Sequence, residues 1–229
     1  MPDEFKKRKP VMTHKRRLPK AASVAFPLGD ARLNAPSAER NAAAIREVLL
    51  AFAPQTGKAL EIASGTGQHV VGFAHALPGL IWQPSDIDVD RRASIDAWAA
   101  EAGLGNILAA RHLDAATPGW ANTAKFDLIL VINLLHLISE IEARIVIQEA
   151  SKTLVPNGRF LLYGPFLRSG ETTSEGDAKF HTSLRAQDPA IGYKGDFDVI
   201  DWMHNAGLEL IEVIEMPANN LCLIASRAP

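Results

Sequence analysis

Along the chain, apolar and polar positions alternate between helical and strand-like spacing, and each switch falls at a Gly, Pro or Asn. From Ser37, a predicted N-cap, Ile45, Leu49, Leu50 and Phe52 recur at helical spacing as far as Pro54. Ala59-Leu60-Glu61-Ile62 predicts a short buried strand that breaks at Gly65 and Gly67 into a helix carrying Val70, Val71, Phe73 and Ala74. A second strand begins at Leu80-Ile81-Trp82, a helix holds Ile95, Trp98 and Ala99, and Ile107 to Leu113 predicts a third strand. Phe126 to Ile132 is apolar at every position after Asp127, as a central parallel strand covered on both faces requires. Ile141 to Leu154 predicts a helix, and Val155-Pro156-Asn157-Gly158 a turn into a fifth strand, Arg159 to Tyr163. Such alternation implies right-handed βαβ units and a doubly wound parallel sheet.

Both ends depart from that rhythm. Ser169 to Lys194 is polar and reads as irregular; Val199 to Ala206 predicts a helix and Leu208 to Glu215 a strand. Pro217-Ala218-Asn219-Asn220 then turns directly into Leu221 to Ser226, and two strands joined so closely must be antiparallel. The expected fold is a Rossmann-like three-layer α/β sandwich whose mostly parallel, seven-stranded sheet ends in an antiparallel hairpin. Residues 1–36 read as a basic extension, and 37–229 as one domain with a lid at about 166–195.

Composition narrows the classes. The 229 residues are 47% hydrophobic and 22% charged with net charge −2, as in one soluble globular domain. The single Cys222 excludes an internal disulfide framework and fits a reducing compartment, hence an expected cytoplasmic location. The longest apolar stretch, Phe126 to Ile138, is shorter than the ~18–20 residues of a membrane span and is interrupted by Asp127, Asn133 and His136. Residues 1–20 hold eight Lys or Arg against Asp3 and Glu4, leaving 16 basic and 24 acidic side chains in the remainder. An acidic body argues against a broad nucleic-acid-binding face, while the basic tail leaves such contact open. The His residues are scattered without ligand spacing, so no metal is expected.

The chemistry concentrates in Glu61-Ile62-Ala63-Ser64-Gly65-Thr66-Gly67. An acid ends a strand, two glycines let backbone approach a ligand, and the next helix turns its free N–H groups to the same place. Asp86, 19 residues after Gly67, ends the second strand, where such sheets hold a carboxylate that grips ribose hydroxyls. Asp114 follows the third strand and Asn133 ends the fourth, so four polar groups converge on the carboxyl edge of the sheet. A dinucleotide would want a third glycine where Val70 stands.

These features resemble the class I S-adenosylmethionine-dependent methyltransferases, over roughly residues 37 to 227. Ala63 replaces the first glycine of that family's acid-x-Gly-x-Gly-x-Gly motif, and Asn157 stands where its turn before strand five has Gly. Ala38-Glu39-Arg40-Asn41, Glu61 to His69, Trp82 to Asp88, Tyr163-Gly164-Pro165-Phe166 and Met216 to Asn220 further resemble the poorly characterised family of methyltransferase-like protein twenty-six and its bacterial relatives. The resemblance implies Glu61 near the methionyl amine, Ala63, Gly65 and Gly67 under the cofactor, Asp86 on the ribose, and Asp114 on the adenine amino group. It also implies Asn133 beside the methionyl end, Gln68 close to the sulfonium, and Arg40 and Asn41 on the cofactor carboxylate.

The expectation is therefore methyl transfer to a small molecule, with S-adenosylhomocysteine as product. His136 is the first candidate for a base, with His69 and His181 behind it, and Tyr163, Asn219 and Asn220 are candidate substrate contacts. Asn133-Leu134-Leu135-His136 stands where amide and base N-methyltransferases carry Asn-Pro-Pro-Tyr. A cofactor-binding protein without catalysis is the alternative, and an NAD(P) oxidoreductase a third, which predicts a parallel last strand.

Overall fold

The computed structural model describes residues 24–122 and 124–229; the basic tail of residues 1–20 lies outside them. A small hairpin, β1 (Phe26–Pro27) and β2 (Leu33–Asn34), precedes α1 (Pro36–Phe52). Then follow β3 (Gly57–Ile62), α2 (Gln68–Ala76), β4 (Leu80–Asp86), α3 (Val89–Ala102), β5 (Arg111–His112), β6 (Phe126–Ile132), α4 (Glu140–Thr153) and β7 (Leu154–Leu167). The chain closes with α5 (Glu175–Gln187), β8 (Lys194–Gly195), α6 (Asp196–Asn205), β9 (Leu208–Met216) and β10 (Asn220–Arg227).

The main sheet runs β5-β4-β3-β6-β7-β10-β9, with β8 on β7. Strands β3 to β7 pair in parallel, whereas β10 is antiparallel to both β7 and β9. That antiparallel end departs from the nicotinamide prediction. Because side chains alternate across a strand, the two sheet faces are filled by different residues of the same strands. On one face Ala59, Leu128, Leu130 and Leu161 meet Ile45 and Leu49 of α1 and Val70 and Phe73 of α2. On the other, Leu60, Ile129, Val131 and Phe160 meet Val146 and Ile147 of α4 and Val199 and Met203 of α6. Phe126–Ile132 is the expected central strand to the residue.

Four expectations need correction. Helix α1 begins at Pro36 with Ala35 as an N-cap that makes no side-chain bond; the fixed φ of proline starts the helix and Ser37 lies one residue inside it. The third strand shrinks to Arg111–His112, because the Gln83 amide takes the Ala109 carbonyl (2.9 Å) and the Asp96 carboxylate the Ala110 N–H (2.7 Å), so side chains intercept the ladder. The fifth strand reaches from Leu154 to Leu167, its turn absorbed at Asn157 (φ 61°), the residue type after glycine that best tolerates left-handed backbone. The stretch read as irregular contains α5, which buries only Leu184 and so shows little apolar periodicity.

Local chemistry sets the helix ends at the functional edge. Ser139 and Glu142 form a reciprocal capping box at the start of α4, and Asp88 accepts the Asp90 and Arg91 N–H groups at the start of α3. Ser139→Ala is expected to cost about 1 kcal/mol, read as a lower urea midpoint at unchanged slope.

Candidate functional site

From β3 the chain passes through α2 to β4 on one side, while β6 lies on the other. Where neighbouring strands lead away in opposite directions a crevice opens at their carboxyl ends. A cleft is found there with about 770 Å³ of empty space, its open mouth included. Glu61, Ala63, Ser64 and Gly65 line its floor, Asp86 and Arg91 one flank, and Asn133, Leu134 and Leu137 the other.

Both central strands end in left-handed backbone at a residue other than glycine, Ala63 (φ 54°) and Asn133 (φ 54°). The turns are held by backbone bonds, Ser64 N–H to Ser85 O (2.8 Å) and Asn133 N–H to Tyr163 O (2.9 Å). The two glycines of the motif do different work. A Cβ on Gly65 would meet nothing within 4 Å, so its bare face is open, whereas one on Gly67 would sit 2.7 Å from Ile95 Cα. Gly67 lets α2 pack on α3 and is not among the cleft-lining residues, which departs from the place the resemblance implied for it.

Glu61 is buried, and its Oε2 has no hydrogen-bond partner. Burial pushes its pKa up to about 8, helped by the Asp86 charge and opposed by the Ser64 hydroxyl. Asp86 accepts the Gly65 N–H (3.1 Å) and the Asp88 N–H (2.9 Å). Its pKa is raised by burial against the pull of those two bonds and of the Arg91 charge.

The remaining candidates are distributed unevenly. His69 lines the cleft, but its Nε2 lies 2.8 Å from Asn41 Oδ1. Burial holds it down to about 4, so the imidazole is neutral. Asn41 and Tyr163 are both buried as well. Gln68 accepts the Ala35 N–H (2.7 Å) and the Thr66 hydroxyl (2.8 Å) and donates to Asn34 Oδ1 (3.0 Å), so it fastens the N-terminal segment. Arg40 is exposed and Asp114 caps its own turn through Ala116 and Thr117; neither lines the cleft.

His136 lies outside the cleft lining as well. Its ring packs edge-on to Phe180 (5.8 Å) and Tyr193 (6.1 Å), and burial with the neighbouring Lys194 charge pushes it down to about 3. His181 Nδ1 accepts the Tyr193 N–H (3.0 Å). Asn219 (φ 59°) donates to Asp177 of α5 and Asn220 donates to the Pro217 carbonyl, so these two build the hairpin and its tie to α5.

Sequence reasoning missed Arg91 and the segment before α1. Arg91 sits in the first turn of the helix that follows Asp86, a position aimed at the same edge. Val24, Ala35 and Ser37 cover the cleft from the N-terminal side. This segment is bound at Leu33, whose N–H is taken by Ser94 Oγ (2.8 Å) and whose carbonyl by the Trp98 indole (2.9 Å). Gly29-Asp30 between Phe26-Pro27 and Leu33-Asn34 is the hairpin signal that reveals it. Among the described residues no cluster of ligands could hold a metal, and no helix is long and apolar enough to cross a membrane.

The family model described as "Protein of unknown function (DUF938)" matches residues 32–227. The chain belongs to this family. The DUF938 chain is similar in fold to an O-methyltransferase family protein from Burkholderia thailandensis (TM-score 0.73, 18% identity, 84% of this chain and 56% of that one). It is also similar to an O-methyltransferase family 2 protein from Planctomyces limnophilus solved with apigenin (TM-score 0.73, 17% identity, 84% and 58%). Human N-acetylserotonin methyltransferase in complex with SAM gives a TM-score of 0.63 at 14% identity, with 82% and 55% covered. The chain thus has the class I methyltransferase fold and spans little more than half the length of these proteins.

Substitution separates the turn residues. Ala63→Gly is expected to raise stability by about 1 kcal/mol, because glycine relieves the left-handed strain. Gly67→Ala is expected to cost about 2–4 kcal/mol through positive φ and the clash with Ile95; denaturant midpoints read both.

Proposed function

We propose that this DUF938 protein is an S-adenosylmethionine-dependent methyltransferase acting on a small-molecule acceptor. The observation that carries the reading is the unpartnered Oε2 of buried Glu61 on the floor of a switch-point cleft. A buried carboxyl oxygen without a partner is costly, and an ammonium group is the partner that would repay it. Asp86, rising from the neighbouring strand end at the open face of Gly65, suits vicinal hydroxyls. The resemblance to methyltransferase-like protein twenty-six supports the same cofactor and names no acceptor.

When bound, S-adenosylmethionine supplies a methyl group already activated on a sulfonium. Glu61 would hold the methionyl ammonium and Asp86 the ribose, beside Ala63 and Gly65, and the cleft wall facing these acids is formed by Asn133, Leu134 and Leu137. The protein's work is alignment and exclusion of water, for which the segment carrying Val24, Ala35 and Ser37 serves as a cover. Gln68 acts at one remove, by holding that cover closed.

Calorimetry with S-adenosylhomocysteine tests this. The folded protein keeps the Glu61 proton up to about pH 8, while an unfolded chain releases it near 4.5, so the free protein loses stability as pH rises between those values. Binding an ammonium forces ionisation, so titrations at pH 7 in buffers of different ionisation enthalpy are expected to show proton release. Glu61→Gln is expected to abolish that release, to weaken binding about ten- to a hundredfold, and to remove the stability loss above pH 5. Absence of binding by the unaltered protein at millimolar ligand refutes the reading.

A further inference from the structure

We propose that the methyl acceptor enters the cleft already ionised, as the anion of an acidic hydroxyl or thiol on an apolar body, and that the protein supplies no base for it. This rests on the methyltransferase reading above. Among the described residues, the ionisable side chains that line the cleft are Glu61, His69, Asp86 and Arg91, all from β3, α2, β4 and α3. The opposite wall consists of Ile132, Leu134 and Leu137 around the amide of Asn133. Among the described residues no carboxylate, imidazole or amine lines that wall.

The other candidate bases do not line the cleft. His136, whose buried Nδ1 has no hydrogen-bond partner, is closed in by Phe180 and Tyr193. His181 receives the Tyr193 N–H, and Lys194 donates to the carbonyls of Ile138 and Gly192 (2.7 Å each). The His69 ring stands on the side of Glu61 and Asp86, with its Nε2 2.8 Å from Asn41 Oδ1. No ionisable side chain among the described residues stands on that wall to take the proton of an aliphatic alcohol, whereas an acceptor that has lost its proton to water needs no such group.

In the transfer, a lone pair of the acceptor anion forms the new bond to the methyl carbon as the carbon–sulfur bond breaks and its pair stays on sulfur. One negative and one positive charge disappear together, and no proton moves.

The test uses 4-nitrophenol and 4-nitrothiophenol, whose anionic and neutral forms absorb at different wavelengths, titrated into the full-length protein with S-adenosylhomocysteine present. Rates with S-adenosylmethionine are measured in parallel for thiols and phenols whose pKa values spread around the ordinary thiol value of about 8.5. Both probes are expected to bind as anions with apparent pKa values no higher than in water. The rising limb of kcat/KM against pH is expected to move about one pH unit for each unit of acceptor pKa. A bound spectrum of the neutral form above the probe's own pKa, or a limb fixed at one pH for every acceptor, overturns the proposal. Faster turnover of an aliphatic alcohol does so too. Binding of S-adenosylhomocysteine with turnover of none of the series overturns the acceptor class, while failure to bind it overturns the underlying reading instead.

Discussion

The cleft exists because the two innermost strands end in left-handed turns at neighbouring points of the sheet, Ala63 after β3 and Asn133 after β6. Such backbone costs roughly 1–2 kcal/mol at a residue with a side chain and survives only where surrounding bonds dictate it. Here the dictating bonds come from strands on either side: β4 through Ser85 holds the first turn and β7 through Tyr163 the second. The Ser85 hydroxyl and the Ser64 hydroxyl both donate to the Glu61 carbonyl, so the strand end that presents the buried acid is fixed by the same turn. Core packing on both faces of β3 and β6 leaves these turns no room to relax. The strain and the exposed ligand edge are two views of one constraint.

Charge is partitioned across the cleft by the same topology. β3 contributes the buried Glu61 and its neighbour β4 the buried Asp86, so two acids lie together with Arg91 close by. Across from them, the step after β6 is a tight turn in which Leu135, His136 and Leu137 are buried. A short helical turn can direct only some of its side chains to the cleft: Leu134 and Leu137 face it, and His136 is left under α5. This geometry decides the fate of the histidine that sequence made the foremost base. One residue of phase within a single turn separates a cleft-lining leucine from a histidine locked among aromatic rings.

Much of the architecture was legible because strand burial writes itself into composition. Phe126–Ile132 is covered on both faces and its limits were readable to the residue, and the final antiparallel pair followed from a connection too short for any crossover. Glu61, Asp86 and Asn133 were legible as a set because strand ends at one edge must converge. What escaped was structure decided by side chains of distant residues. The third strand looked continuous until Gln83 and Asp96 intercepted its backbone. Helix α5 packs through Leu184 alone and so lacks a periodic stripe. Gly67 and Gly65 look alike in sequence, and only the approach of Ile95 shows that one serves packing and the other leaves the floor open.

The N-terminal boundary shows why composition alone misplaces the edge of a domain. Prolines and the absence of periodicity marked everything before residue 37 as an extension, yet residues 33–35 are fastened by Ser94, Trp98 and Gln68, and Arg32 stacks over Trp98 (5.1 Å). Side-chain donors and acceptors from α2 and α3 satisfy the backbone here, so neither a long strand nor a helix is needed and no period develops. The consequence reaches the site. A segment that roofs the cleft through Val24, Ala35 and Ser37 is held by Gln68, which follows the glycine turn directly, so the floor and the roof of the cleft are tied to the same few residues. Any ligand that displaces the roof must break Gln68 from Asn34 and Ala35.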